Sequence, residues 1–193
     1  MSFTLVISGP AGVGKTTICD RLLEEFGSQL CRVVTTTTRK PRSGEVDGKD
    51  YYFTELDDFK NLAQENAFLE YEVIHGNYYG TSKKAVFEKM GESKNILINI
   101  DVRGAKSLRK EMNIQFASDI KVVSIFLKPS NLDVLKERLL NRGSDSKENI
   151  EKRLETAKEE LQFGKEFDHQ LISTEKENDY SLVKEIYLKN RQK

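Results

Sequence analysis

The chain has 193 residues, enough for one compact unit that buries a core without disulfide or metal staples. Its 31 basic and 31 acidic residues cancel, so nothing in the charge calls for nucleic acid or an anionic membrane, and a small soluble substrate fits better. Cys19 and Cys31 make no disulfide framework, no secretory signal opens the chain, and no run approaches ~18 apolar residues, so a cytoplasmic location without membrane attachment is expected.

In chain order, the apolar run Phe3 to Ile7 predicts a strand, and Gly9-Pro10-Ala11-Gly12-Val13-Gly14-Lys15-Thr16 follows it directly. That octet fits G-x-x-x-x-G-K-[ST], the phosphate-binding loop. Ile18, Cys19, Leu22, Leu23 and Phe26 then recur at helical spacing with Gly27 as a stop, so strand, loop and helix arrive in the order the motif requires. Gly9, Gly12 and Gly14 let the backbone adopt positive φ and expose its N–H groups, while the helix N-terminus adds a dipole that favours anions. Lys15 is placed to bring positive charge to the β- and γ-phosphates of a nucleotide, and the Thr16 hydroxyl to bind Mg²⁺.

Leu30 to Val34 predicts a second strand. Between Gly44 and Gly80 turn residues and aromatics are dense, with strand-like runs at Tyr51 to Phe53, Leu69 to Ile74 and Tyr78 to Tyr79. Thr54 and Asp57 form a capping-box pattern ahead of a short helix carrying Leu56, Phe59, Leu62 and Ala63. Ser82 opens a helix through Met90, Asn95 to Ile100 is a strand ending at the acid Asp101, and Val122 to Leu127 repeats the strand pattern. Ser130 with Asp133 suggests another cap, before a helix with Leu132, Leu135 and Leu139. Residues 143–147 are polar, and the next helix turns Ile150, Leu154, Ala157 and Leu161 inward. Gln170 to Ile172 is a last short strand, and Asp179 is the expected start of a terminal helix. Apolar strands alternating with helices predict an α/β fold whose parallel sheet is covered on both faces.

A phosphate loop says only that a nucleotide binds, so the acceptor chemistry is sought in the insert. Arg39 and Arg42 flank Pro41 and can clamp one phosphate through forked, charge-assisted hydrogen bonds, with the hydroxyls of Tyr51 and Tyr79 as further donors. Glu70, Thr35 and Thr81 offer a set that reads a base. A carboxylate accepts two adjacent donors, which guanine presents on its Watson–Crick edge and adenine does not, so Glu70 favours guanine.

With these residues in place, the sequence resembles the guanylate kinase family over nearly its whole length. The run Thr-Thr-Arg39-x-Pro-Arg42-x-Gly-Glu-x-x-Gly-x-Asp50-Tyr51-x-Phe is similar to that family's acceptor-phosphate segment, and Gly76-Asn-Tyr-Tyr79-Gly-Thr81 to its second piece. The resemblance implies a P-loop NTPase core with a central parallel sheet (about 1–34 and 83–193), a small mixed GMP-binding lobe (about 35–82) and a helical lid (about 138–153), all in one domain. It implies transfer of the ATP γ-phosphoryl group to GMP with Mg²⁺ as cofactor. Arg39, Arg42, Tyr51 and Tyr79 then correspond to residues holding the GMP phosphate, and Thr35, Glu70, Thr81 and Asp101 to those holding the base. Gly9 through Thr16, with Thr17 behind them and Arg138 nearby, correspond to the ATP side. Arg142 and Arg153 match lid arginines, which with Lys15 and Arg39 form the catalytic set. Small-molecule substrates are the implied partners of a monomer or small homo-oligomer.

The chain departs from the family pattern at Asn99, where an aspartate is common, at Arg103, where glutamine is frequent, and at Ser173, where asparagine is usual near the adenine. Two rival readings stand beside this one: another nucleoside monophosphate kinase, opposed by Glu70 and by the order of the motifs between Arg39 and Thr81, and a protein-binding module of the same fold, opposed by the intact loop from Gly9 to Thr16 and the lid arginines. His75 and His169 lack partners at metal-ligand spacing, and Tyr71 and Tyr78 read as packing.

Overall fold

The structure, a computed structural model, describes residues 3–91, 94–116, 121–141 and 146–191. Strand β1 (Phe3–Ser8) is wholly buried and leads through the glycine loop into α1 (Lys15–Phe26). β2 (Leu30–Arg32) is shorter than its apolar run, because Val33 donates one more bond to the Leu97 carbonyl at 3.0 Å and the chain then departs from the sheet. β3 (Thr36–Thr37) and β4 (Tyr52–Phe53) are two-residue strands, β3 too short to leave a periodic signal. Helix α2 (Leu56–Gln64) and strands β5 (Phe68–Ile74) and β6 (Asn77–Ser82) follow. Next come α3 (Lys83–Gly91), β7 (Asn95–Asn99), α4 (Val102–Phe116), β8 (Lys121–Pro129), α5 (Leu132–Asn141), α6 (Lys147–Phe163), β9 (His169–Ser173) and α7 (Lys176–Asn190).

These strands form two sheets, one parallel and in the order β2-β7-β1-β8-β9, the other mixed and in the order β4-β3-β6-β5. The parallel sheet is covered on both faces, which explains why its strands read as continuous apolar runs. Phe3, Leu5 and Ile7 of β1 pack with Ile18, Leu22, Leu135, Leu139 and Val183, while Val6 faces a second cluster with Ile96, Ile98, Leu108 and Met112. In the mixed sheet Phe59 of α2 stacks on Phe68, with ring centroids 4.5 Å apart, and meets Tyr78 at 5.4 Å and Tyr71 at 6.0 Å. Tyr71 and Tyr78 thus serve packing.

Three helix starts differ from the expected caps. Glu55, not Thr54, precedes α2 and makes no side-chain cap bond. Asn131, not Ser130, caps α5, its Oδ1 accepting from the Val134 N–H at 2.8 Å. Helix α7 begins three residues ahead of Asp179, which is buried within its first turn. Ser82 does reach the Ala85 N–H, at 3.4 Å, ahead of α3. Among the described residues no helix is long and apolar enough to cross a membrane.

Candidate active site

The glycine loop is built from backbone strain that only glycine tolerates. Gly9, Gly12 and Gly14 have φ of 138°, 88° and 115°, and a Cβ on Gly9 would stand 2.3 Å from the Leu127 carbonyl oxygen. Gly14 is the N-cap of α1 and no side chain caps that helix, so its first N–H groups point into a cleft instead. Lys15 folds over the same loop, its Nζ donating to the Gly9 carbonyl and, at 3.0 Å, to that of Pro10. The Thr16 hydroxyl lies 3.4 Å from Asn99 Nδ2, at the tip of β7. Among the described residues no three carboxylate, imidazole or thiol groups converge. A divalent ion at this point would therefore be held mainly by nucleotide phosphates, with Thr16 as the protein's ligand, and that donor set suits Mg²⁺.

The cleft measures about 690 Å³ and brings the two ends of the chain's chemistry together. Gly9, Ala11, Gly12, Gly14, Lys15, Thr16 and Thr17 line one end; Thr35, Arg39, Arg42, Tyr51, Glu70, Tyr79 and Asp101 line the other; Arg138 and Arg153 stand along it. Pro10 and Val13 contribute backbone, and Thr81 sits fully buried behind Glu70. Arg142 lies outside the described residues.

Glu45, which the sequence reading passed over, organises the arginine pair. Its Oε1 accepts from Arg39 at 2.9 Å and stands 4.0 Å from Arg42, while its Oε2 accepts from the Arg42 N–H at 2.8 Å. One carboxylate thus sets the spacing of both guanidinium groups. Burial, with the neighbouring Tyr79 adding, holds the Tyr51 phenol above its ordinary value, so it remains a neutral hydroxyl donor beside Arg39.

At the base-reading end a β-bulge makes the geometry. Phe68 pairs with Ser82 but Glu70 pairs with Thr81, so one extra residue is taken up between them and Glu70 turns inward to 7% exposure. The Thr81 hydroxyl donates to its Oε1. Burial, opposed by that bond and reinforced by the charge of Asp101, pushes the Glu70 carboxyl up to about 8. Asp101 Oδ1 caps α4, accepting from the N–H groups of Arg103 at 2.8 Å and Gly104 at 3.1 Å. A Cβ on Gly104 would lie 2.8 Å from Glu70 Oε2 and 3.1 Å from Asp101 Oδ2. The two carboxylates can therefore share this corner only because residue 104 has no side chain.

Helix α6 adds a residue that no motif announced. Glu160 is half-buried in the cleft wall two turns after Arg153, and burial lifts its carboxyl to about 7, with the charge of Lys15 opposing and that of Asp101 adding. Its sequence signal, one glutamate on a glutamate-rich helix, is indistinguishable from a solvated face.

Comparison with known proteins agrees with this geometry. The family model for guanylate kinase matches residues 1–190. A guanylate kinase of Clostridium acetobutylicum is 37% identical over 182 residues, spanning 94% of this chain and 83% of that protein. One from Helicobacter pylori is 40% identical over 182 residues, spanning 94% and 84%. The crystal structure of guanylate kinase from Anaplasma phagocytophilum superposes with a TM-score of 0.75 at 27% identity, covering 100% of this chain and 87% of that one.

Proposed function

The chain belongs to the guanylate kinase family, and from that premise we propose how its residues carry a phosphoryl group from ATP to GMP, giving ADP and GDP. The observation that supports the reading most is the single cleft, in which an uncapped helix N-terminus behind a glycine loop faces two arginines and the buried Glu70 carboxyl beside Asp101.

In this proposal the core (about 1–34 and 83–193) binds ATP through Gly9 to Thr17, with Lys15, Arg138, Arg142 and Arg153 supplying positive charge around the triphosphate. Residues 138–153 act as a lid. Thr16 would hold Mg²⁺ arriving with ATP, and the chemistry the ion would supply is neutralisation of phosphate charge. The lobe of residues 35–82 binds GMP. Arg39 and Arg42, spaced by Glu45, grip the GMP phosphate together with Tyr51 and Tyr79, and Thr35, Glu70, Thr81 and Asp101 hold guanine. No general base is required, because a phosphate oxygen is already a nucleophile; catalysis consists of aligning it with the γ-phosphorus and surrounding the migrating group with fixed positive charge. Excluding water as the cleft closes keeps the phosphoryl group from hydrolysis. The reading extends to a cytoplasmic setting and a monomer or small homo-oligomer acting on these small molecules.

The test is acceptor choice. At pH 9, where the Glu70 carboxyl is mostly ionised, AMP would set a ring acceptor against it, and a buried site built for two donors rejects such an analogue by roughly 10⁴-fold. We expect kcat/KM in the order GMP, IMP, AMP with AMP about 10⁴-fold below GMP. Equal use of AMP and GMP would sink the assignment of Glu70.

A further inference from the structure

Outside the residues assigned above, one buried carboxylate has both of its oxygens engaged: Asp179, only 5% exposed in the first turn of α7. A carboxylate buried to this degree persists only where its lone pairs are met. Here Oδ2 accepts from the Ser173 hydroxyl at 2.6 Å, and Oδ1 accepts from the Thr174 N–H at 2.8 Å and from the Thr174 hydroxyl at 3.5 Å. Ser173, at the end of β9, is 1% exposed and accepts from Arg138 Nη1 at 3.0 Å. Arg138 goes on to the Thr174 carbonyl through Nη2 at 3.0 Å and to the Val13 carbonyl, in the glycine loop, through Nη1 at 3.1 Å.

The direction of the bonds follows from counting protons. The Ser173 Oγ stands 3.2 Å from the Val13 carbonyl as well as 2.6 Å from Asp179, yet it has one hydrogen. The shorter contact to an ionised acceptor takes it. The Val13 carbonyl is then served by Arg138, and hydrogen bonds are donated in relay from Arg138 to Ser173 and from Ser173 to Asp179. Helix α5 is fixed to the same loop by packing, since a Cβ on Gly12 would stand 3.0 Å from Leu139 Cδ2. The turn between β9 and α7, the helix leading to the lid and the phosphate loop thus meet at one guanidinium.

We propose that Asp179 is a positioning residue for the donor nucleotide: acting through Ser173, it holds Arg138 at the Val13 carbonyl and so keeps the Gly12 to Gly14 backbone open toward the ATP phosphates. Asp179 touches no substrate itself. The relay also accounts for Ser173 where the family usually carries asparagine: an asparagine side chain supplies both the acceptor for Arg138 and a donor for Val13, whereas serine donates to Val13 only if its single proton is not drawn elsewhere, and Asp179 draws it. This inference rests on the assignment of the glycine loop to ATP.

The experiment is steady-state kinetics on the full chain, with KM for ATP and for GMP measured separately alongside the melting temperature. Asp179→Ala and Ser173→Ala are each expected to raise KM for ATP about tenfold, the loss of a charge-assisted hydrogen bond, and to leave KM for GMP within about twofold. The double variant should be no worse than either single one, because the relay is already broken. Asp179→Ala with Ser173→Asn should return KM for ATP to within about threefold of the parent. A role confined to stability predicts a lower melting temperature with both KM values unmoved, and that result, or parallel rises in both KM values, overturns the proposal. If Asp179→Ala does not fold, Ser173→Ala carries the test alone. Direct ATP binding by Lys15→Ala separates the premise: unchanged affinity there refutes the loop assignment, whereas weakened affinity beside an inert Ser173→Ala refutes only the relay.

Discussion

The two ends of the cleft are built by opposite means. At the glycine loop eight consecutive residues, three of them glycines at positive φ, lead into a helix N-terminus that no side chain caps. At the other end no stretch is sufficient: Glu70 comes from a bulged strand, Asp101 and Gly104 from the start of α4, and the arginine pair from a loop clamped by Glu45. The loop works with fixed dipoles that cost little to keep, whereas the second end relies on Glu70, a buried carboxyl that the fold holds against its preference for water. A phosphate is recognised by charge and can be met locally. A base edge is recognised by paired donors and acceptors, which demands a dry, three-dimensional corner.

The largest effect that would break this division is at Lys15. Lys15→Ala is expected to lower kcat by at least about 10²-fold, the size of losing one preorganised electrostatic contact in the transition state, while GMP binding measured by calorimetry stays within about twofold. Loss of both together would mean that the two ends are not separable.

Next in size is Glu70→Gln, which keeps the shape but offers one acceptor and two donors; kcat/KM for GMP should fall at least about tenfold. The same change should stabilise the protein. A carboxyl lifted to about 8 by burial holds its proton more tightly folded than unfolded, so the folded state binds more protons between roughly pH 4.5 and 8 and stability falls as pH rises through that window. The cost is absent at acid pH and nearly complete at pH 8, where it is about 4 kcal/mol. Glu70→Gln should therefore raise the melting temperature by several degrees at pH 8 and by little at pH 5. A lower melting temperature at pH 8 would show that burial is not what shifts this group.

The smallest expected effect sharpens the comparison through pH. Guanine needs Glu70 ionised, so below about pH 8 binding must first remove its proton, and KM for GMP should fall about fivefold from pH 7 to pH 8 and level off above. This window lies above the second phosphate ionisation, near pH 6, which leaves the arginine end unchanged. KM for ATP should not follow this trend, and the trend should vanish in Glu70→Gln.

Much of this molecule was legible before any coordinates, and which parts were legible follows from range. The glycine loop, the apolar strands on either side of it and the helical stripe from Ile18 to Phe26 are set by neighbours in the chain, so spacing alone determines them. The pairing of Arg39 with Arg42 is of the same kind. Helix α4 carries a weaker signal, because Gly104 and the cations Arg103, Lys106, Arg109 and Lys110 dilute a stripe that runs through Val102, Ala105, Leu108 and Met112. The roles of Glu45, Glu160 and Asp179 are not legible either: Glu45 stands in the acceptor-phosphate run without a role and Asp179 reads only as a helix start, because a lone carboxylate among 31 acidic residues carries no periodicity and its meaning comes from the groups it meets. The bulge at Leu69 decides the rest, since one residue of slippage between β5 and β6 turns Glu70 toward Asp101, and the alternation of apolar residues is the same with or without it. The sequence by itself determined the glycine loop and the helix behind it, because these need only local backbone geometry; the tertiary structure decided which carboxyls lose water and which distant groups meet in the cleft.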